Sequence, residues 1–310
     1  MSRFFDLLQI LNHRAAGVKV ASNGHSANAS ITTGTEVDRT LSVLLSADAA
    51  VKPAAVTAVA STVSQADDGC AADSLIQEIP SVQVEIHAES RIIAHSTPRG
   101  PGADRFRLLR MRLRELRKTK ELRTVLITSS LPGEGKSTVA LNLATTLAEG
   151  GQRPVLLLEA DLHRSPLIHQ LGLSERPGLA ECLENGVNPL SVINKLDPLG
   201  WYFLPAGKSK TTPTELLQGD ALANVIRELT PHFEWILIDS PPVTALTDAL
   251  SIGRHAQGTL VVVRAGRTQQ DDVERAIELV GKQNIVAILL NGVEGLNDLY
   301  SRYSTYYGQN

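Results

Sequence analysis

Thr124-Val125-Leu126-Ile127-Thr128-Ser129-Ser130-Leu131-Pro132-Gly133-Glu134-Gly135-Lys136-Ser137-Thr138 is the stretch that decides how this chain is read. Its first five residues have the apolar, β-branched character of a buried strand, and the residues from about Lys136 to Ala148 have that of a helix. Between them runs G-x-x-x-x-G-K-[ST], with Ser130 in place of the first glycine. The residue types follow from the chemistry. Gly133 and Gly135 let the backbone turn its N–H groups and the helix N-terminus towards an anion. Lys136 is expected to reach the β- and γ-phosphates and the Ser137 hydroxyl to ligate Mg²⁺, so Ser130–Thr138 is expected to bind Mg-ATP.

Outward from this loop, apolar runs at Val155–Glu159, Tyr202–Leu204, Trp235–Asp239, Thr259–Arg264 and Val286–Leu290 predict further strands. Helical segments lie between them, notably Pro213–Leu229, Thr244–Ala256 and Gln269–Gly281. Continuous apolar strands alternating with helices predict an α/β fold, a mainly parallel sheet with helices on both faces. A ligand then belongs at the carboxyl ends of the strands. Two acidic strand ends fit that position. Asp239 closes Trp235-Ile236-Leu237-Ile238-Asp239 and is placed to hold Mg²⁺ or its water shell, while Glu159 and Asp161 are spaced by two and, if extended, point to one side.

The 310 residues are 43% hydrophobic but only 4% aromatic, so the core must be largely aliphatic. A net charge of -3 argues against a protein that coats nucleic acid. Cys70 and Cys182 sit in no ligand or redox spacing and read as reduced thiols of a cytoplasmic protein. No stretch has the roughly 18 apolar residues of a spanning helix, and the first residues lack a signal-peptide core. Residues 1–14 hold a possible docking helix, and 15–97 read as a flexible Ala/Ser/Thr/Val-rich linker, a largely disordered extension. Within it Val82, Val84 and Ile86 alternate as a possible edge strand. The nucleotide domain is expected over 98–299, after the breaker cluster Pro98–Gly102, and a tyrosine-rich tail over 300–310. Residues 105–123 carry nine Lys or Arg against two Glu, with Phe106, Leu109, Leu113 and Leu116 forming an apolar stripe at helical spacing.

Pro-Gly-Glu-Gly-Lys-Ser-Thr, the second acidic strand end, Thr212-Pro213-Thr214-Glu215-Leu216-Leu217, Ile238-Asp239-Ser240-Pro241-Pro242, Asn291 and the terminal tyrosines together resemble the bacterial tyrosine kinase family. That family lies within the MinD/ParA class of deviant P-loop ATPases, and the resemblance covers about Asp104 to Asn310. Partition ATPases of the class carry a second lysine where this chain has Leu131, which favours the kinase branch. The resemblance implies that Gly133, Glu134, Gly135, Lys136, Ser137 and Thr138 hold the nucleotide, with Asn291 on the adenine. It also implies that Ser137, Asp161 and Asp239 organise Mg²⁺. The family's first acid of this pair is an Asp that draws the acceptor proton; here it is Glu159, and His163 replaces an arginine. Four of the five tyrosines (Tyr300, Tyr303, Tyr306 and Tyr307) would be acceptors phosphorylated by a neighbouring subunit. Asp104, Arg107 and Arg110 match the family's Glu-x-x-Arg-x-x-Arg oligomerisation motif, which implies a homo-oligomer, in some cases a ring. The implied role is tyrosine autophosphorylation that regulates capsule or exopolysaccharide polymerisation and export. The implied partner is a separate inner-membrane activator resembling a polysaccharide co-polymerase, which would bring the protein to the inner face of the plasma membrane. The rival readings are an ATPase switch without kinase activity and a nucleotide-binding scaffold that has lost catalysis.

Overall fold

The computed structural model describes residues 40–44, 75–86, 90–151 and 154–293. The expected docking helix and the acceptor tyrosines lie outside these residues. Strands β1 (Thr40–Leu44) and β2 (Ser81–Gln83) precede helices α1 (Ile93–Ser96) and α2 (Pro101–Arg117). Then follow β3 (Thr124–Ser129), α3 (Lys136–Ala148), β4 (Val155–Glu159), α4 (Pro166–Gln170), α5 (Leu179–Asn185), β5 (Asn194–Asp197) and β6 (Trp201–Leu204). The chain continues through α6 (Pro213–Gln218), α7 (Ala221–Leu229), β7 (Trp235–Asp239), α8 (Asp248–Gly253), β8 (Gly258–Arg264), α9 (Gln270–Val280) and β9 (Ile285–Val293).

Among the described residues the strands form one sheet in the order β1-β9-β8-β3-β7-β4-β6-β5-β2. The six strands from β9 to β6 run parallel, and β1 and β5 are antiparallel to their neighbours β9 and β6. Burial explains why the central strands read as unbroken apolar runs: successive side chains alternate between two covered faces. Val125, Ile127, Leu157 and Leu237 pack on one face with Phe106, Leu109 and Leu113 of α2 and Leu141 and Leu143 of α3. Leu126, Leu156, Leu158, Ile236 and Ile238 pack on the other with Leu179, Leu217, Leu222, Ile226 and Ile252. The doubly covered, mainly parallel sheet is therefore as the pattern predicts.

Three boundaries differ. Helix Pro213–Leu229 is broken into α6 and α7 around Gly219 and Asp220, with Gly219 extended (φ -82, ψ 174). Only Asp248–Gly253 of the Thr244–Ala256 segment is helical, because Pro242 begins a turn in which its carbonyl accepts from Ala245 and Leu246. The folded unit also begins well before the Pro98–Gly102 breaker. Ile76, Ile79, Val84, Ile92 and Ala94 are buried, so the end of the predicted 15–97 linker is part of the domain. Its apolar residues are few, but they reach clusters on both faces of the sheet. Of the edge strand expected from Val82, Val84 and Ile86, only Ser81–Gln83 is present, as β2 parallel to β5.

One close crossing supports the loops on the second face. Gly178 N lies where α5 meets the segment after β6, and a Cβ there would sit 2.1 Å from Pro205 O and 2.8 Å from Gly207 N. Both atoms are backbone, so a side chain cannot be relieved by a rotamer change. Gly178→Ala is expected to cost about 2–3 kcal/mol, read as a lower urea midpoint at unchanged slope.

Candidate active site

The phosphate loop joins β3 to α3 and lies beside the carboxyl ends of β7 and β8, the strands that flank β3. Gly133 and Gly135 take φ values of 80° and 93°, the left-handed region that glycine enters without steric cost. At Gly135 a Cβ would also come 2.1 Å from Asn291 Nδ2. The loop opens into a cleft of about 1230 Å³ lined by Gly133, Gly135, Lys136, Ser137, Asp161 and Asn291, among others. Its far wall comes from the segment before α2, through Arg91, Ile93, Ser96 and Thr97. That wall is pinned to α3 by fully buried Asn142. Asn142 Oδ1 accepts from Ala94 N at 3.0 Å, and Nδ2 donates to Arg91 O and Thr138 O at 2.8 Å each.

Lys136 Nζ stands 3.3 Å from Ser137 Oγ, 3.3 Å from Asp161 Oδ2 and 4.0 Å from Asp239 Oδ1. Asp239 is fully buried, and neither of its carboxylate oxygens has a hydrogen-bond partner; Asp161 Oδ1 is likewise buried and unpartnered. Burial pushes the Asp239 carboxyl up to about 6, against the pull of Lys136 and Ser137 and with a further push from Asp161. Buried carboxylate oxygens without donors are costly in a finished core. Hard oxygens beside a serine hydroxyl at a phosphate loop are the donor set Mg²⁺ takes. The residues present therefore fit a magnesium ion bound together with phosphate oxygens.

Glu159 does not join this group. Its Oε1 accepts from Leu167 N at 2.5 Å and its Oε2 from Ala206 N at 3.2 Å, and the residue is fully buried outside the cleft lining. Burial raises its pKa to about 7, partly offset by these backbone N–H groups, with Asp239 adding a further rise. The expectation that Glu159 meets the acceptor hydroxyl is corrected. Its carboxylate instead ties the N-terminal turn of α4 to the segment after β6. Glu134 keeps its place in the loop. Its side chain is buried against the turn after β8, so only its backbone belongs to the phosphate cradle. Asn291 lines the cleft, but its Nδ2 donates to Glu134 O at 2.8 Å, an attachment that the sequence did not disclose.

The motif residues on α2 are engaged within the chain. Arg107 forks onto Glu149 (Nε to both oxygens at 3.0 Å, Nη2 to Oε1 at 2.7 Å) and meets Asp104 at 3.0 Å. Arg110 Nη1 binds Glu149 Oε2 at 2.7 Å and Thr146 O at 2.6 Å. Burial pushes the Glu149 carboxyl up, but the two arginines outweigh it and hold its pKa below the usual range. The pair closes the C-terminus of α3, whose last carbonyls need donors. Asp104, Arg107 and Arg110 are thus paired within the chain. Sequence reading also missed Asp248. This buried acid accepts from Thr214 Oγ1 at 2.9 Å and meets His163 Nε2 at 2.8 Å, tying the loop after β4 to α6. Cys182 is buried and its thiol is pushed up to about 12, so it stays protonated and inert. Among the described residues no helix is long and apolar enough to cross a membrane.

Comparison with known proteins settles the lineage. The ParA family model, described as NUBPL iron-transfer P-loop NTPase, matches residues 121–297. The chain belongs to the ParA family of P-loop NTPases. Within that family its relatives are bacterial tyrosine kinases. It is 29% identical over 223 residues to the tyrosine-protein kinase YwqD of Bacillus subtilis, covering 71% of this chain and 92% of that one. Against the tyrosine-protein kinase ptk of Acinetobacter johnsonii it is 35% identical over 150 residues, 48% of this chain but 20% of that one. The kinase domain of the Escherichia coli tyrosine kinase ETK superposes with a TM-score of 0.59 at 27% identity, covering 64% of this chain and 76% of that one. This ParA-family chain thus spans nearly all of one relative and about a fifth of another. Its phosphate loop, Asp161, Asp239 and Asn291 all fall within the matched 121–297, whereas Asp104, Arg107 and Arg110 precede it.

Proposed function

We propose that the chain is an ATP-dependent protein-tyrosine kinase whose acceptors are Tyr300, Tyr303, Tyr306 and Tyr307 of a neighbouring copy. The observation that carries the reading is the set of buried, donor-less oxygens of Asp161 and Asp239 beside Lys136 at a phosphate loop, in a chain whose relatives are tyrosine kinases. Loop N–H groups and Lys136 would hold the β- and γ-phosphates, and Ser137, Asp161 and Asp239 would hold Mg²⁺, which supplies charge neutralisation on the phosphates. The phenolic oxygen forms the new P–O bond, the bond to the β,γ-bridging oxygen breaks, ADP leaves, and the phenolic proton is released. A loose transition state asks little of a base, so positioning and charge carry most of the rate. Withdrawal of Glu159 therefore does not by itself remove the activity.

Adding about -1.5 to -2 charges per tyrosine would expel a modified tail from an acid-rich site, giving the reaction a means to alter assembly. A homo-oligomer through Asp104, Arg107 and Arg110 would require a neighbour's acid to compete with Glu149. Control of capsule or exopolysaccharide export, through a separate membrane activator that recruits the protein to the inner face of the plasma membrane, completes the reading. A ParA-type nucleotide switch is the second reading, favoured by the burial of Glu159 outside the cleft.

Phosphotyrosine mapping by mass spectrometry after incubation with Mg-ATP, and on protein isolated from its native host, tests this. Phosphate on the four tyrosines is expected, with no modification in a chain lacking 300–310. ADP release without phosphotyrosine in either preparation would leave the switch.

A further inference from the structure

We propose that Glu134 and Thr268 are positioning residues that hold the phosphate loop in its anion-binding shape before nucleotide arrives; this rests on the reading of the loop as an ATP site. Glu134 lies between the two left-handed glycines, the part of the loop with the least conformational restraint of its own. Yet it is buried, at 3% exposure, and both its carboxylate and its carbonyl are fixed. Oε2 accepts from Leu131 N at 2.8 Å, closing the loop on itself. Oε1 accepts from the Thr268 hydroxyl and, more loosely, from Arg264 N at 3.5 Å. The carbonyl accepts from Asn291 Nδ2.

Thr268 suits this task because its hydroxyl both donates and accepts. Its Oγ1 accepts from Arg264 N at 3.1 Å, and its own N–H donates to Arg264 O at 3.1 Å. The turn between β8 and α9 is thus built around the same oxygen that reaches Glu134. That turn is in register with the end of β9, since Ala265 N donates to Asn291 O at 2.8 Å. The loop is therefore anchored to the ends of β8 and β9, through the Glu134 carboxylate and carbonyl respectively. With Glu134 fixed, its neighbours Gly133, Gly135 and Lys136 are held in the lining of the cleft. Without the anchor, the ordering cost falls on the binding step.

The test uses the full chain and titrates N-methylanthraniloyl-ATP with Mg²⁺ by fluorescence, alongside thermal melting without nucleotide. Thr268→Val replaces the hydroxyl by a methyl, losing its bond to Glu134 and the one it accepts from Arg264 N, and is expected to raise Kd about tenfold through the lost bond to the carboxylate. Thr268→Ser is expected to stay within about twofold of the parent, and in a Glu134→Gln background Thr268→Val is expected to add little, because the two act as one unit. Equal Kd for Thr268→Val and the parent overturns the proposal, and so does a Thr268→Ser variant as weak as Thr268→Val. Thr268→Ala replaces Thr268→Val in the same comparison if the latter does not fold. A parent chain that binds no nucleotide overturns the ATP reading itself, an outcome separate from tight binding that ignores Thr268.

Discussion

Lys136→Met is expected to lower Mg-ATP turnover by about 100- to 1000-fold, the loss seen when one preorganised charge partner of a transition state is removed. Both ADP release and phosphotyrosine by mass spectrometry should fall together. The ammonium is only 12% exposed and is the cation nearest Asp161 and Asp239, at 3.3 and 4.0 Å. Methionine keeps the chain length and the packing but leaves two buried carboxylates facing each other. The variant should therefore lose stability as well, by about 3 kcal/mol at neutral pH, since breaking a buried pair strands a charge. Thermal melts at pH 8 and pH 5 separate the two effects. The stability loss should shrink at pH 5, where Asp239 takes up a proton, and the activity should not return.

Asp239→Asn should do the opposite to stability while also stopping the reaction. Burial raises this carboxyl from 3.8 to about 6 in the folded protein. The folded state therefore holds its proton more tightly than the unfolded chain does. Stability from this group is fully present below the unfolded pKa and is lost as pH rises through the folded one. The shift is worth about 3 kcal/mol, reached above about pH 7. Asparagine cannot ionise, so the metal-free variant should exceed the parent by up to about 3 kcal/mol at pH 8, with the gap closing towards pH 4. Urea unfolding at a series of pH values with EDTA present checks this. Saturating Mg-ATP should narrow the gap by stabilising only the parent, because ligands favour the state that binds them.

What the sequence disclosed follows from how far each signal travels along the chain. β3, the loop and α3 form one continuous stretch in which apolar run, left-handed glycines and helix start are all local. They could be read residue by residue. β5 escaped notice because Asn194-Lys195-Leu196-Asp197 buries only Leu196, too little for an alternation to register. Its place is set by pairing with β6 and β2. Glu159 could be placed at the end of β4, but its direction depends on N–H groups of Leu167 and Ala206, the second of them 47 residues away. The same holds for Arg107 and Arg110, whose partner Glu149 is 42 and 39 residues distant. Residue type signalled charge in each case, and only the fold determined what the charge meets.

The pairing of β1 with β9 sets where two long stretches of chain are rooted. The strands are antiparallel, and Thr40 stands opposite Val293. Thr40 and Val293 therefore stand at the same corner of the sheet, a few ångströms apart. The first and last described residues of the chain thus share one post. Reach from that post is set by residue count: Tyr300 lies seven residues beyond Val293, at most about 25 Å of extended chain. A surface that met this corner of the sheet would thus lie within about 25 Å of chain from Tyr300.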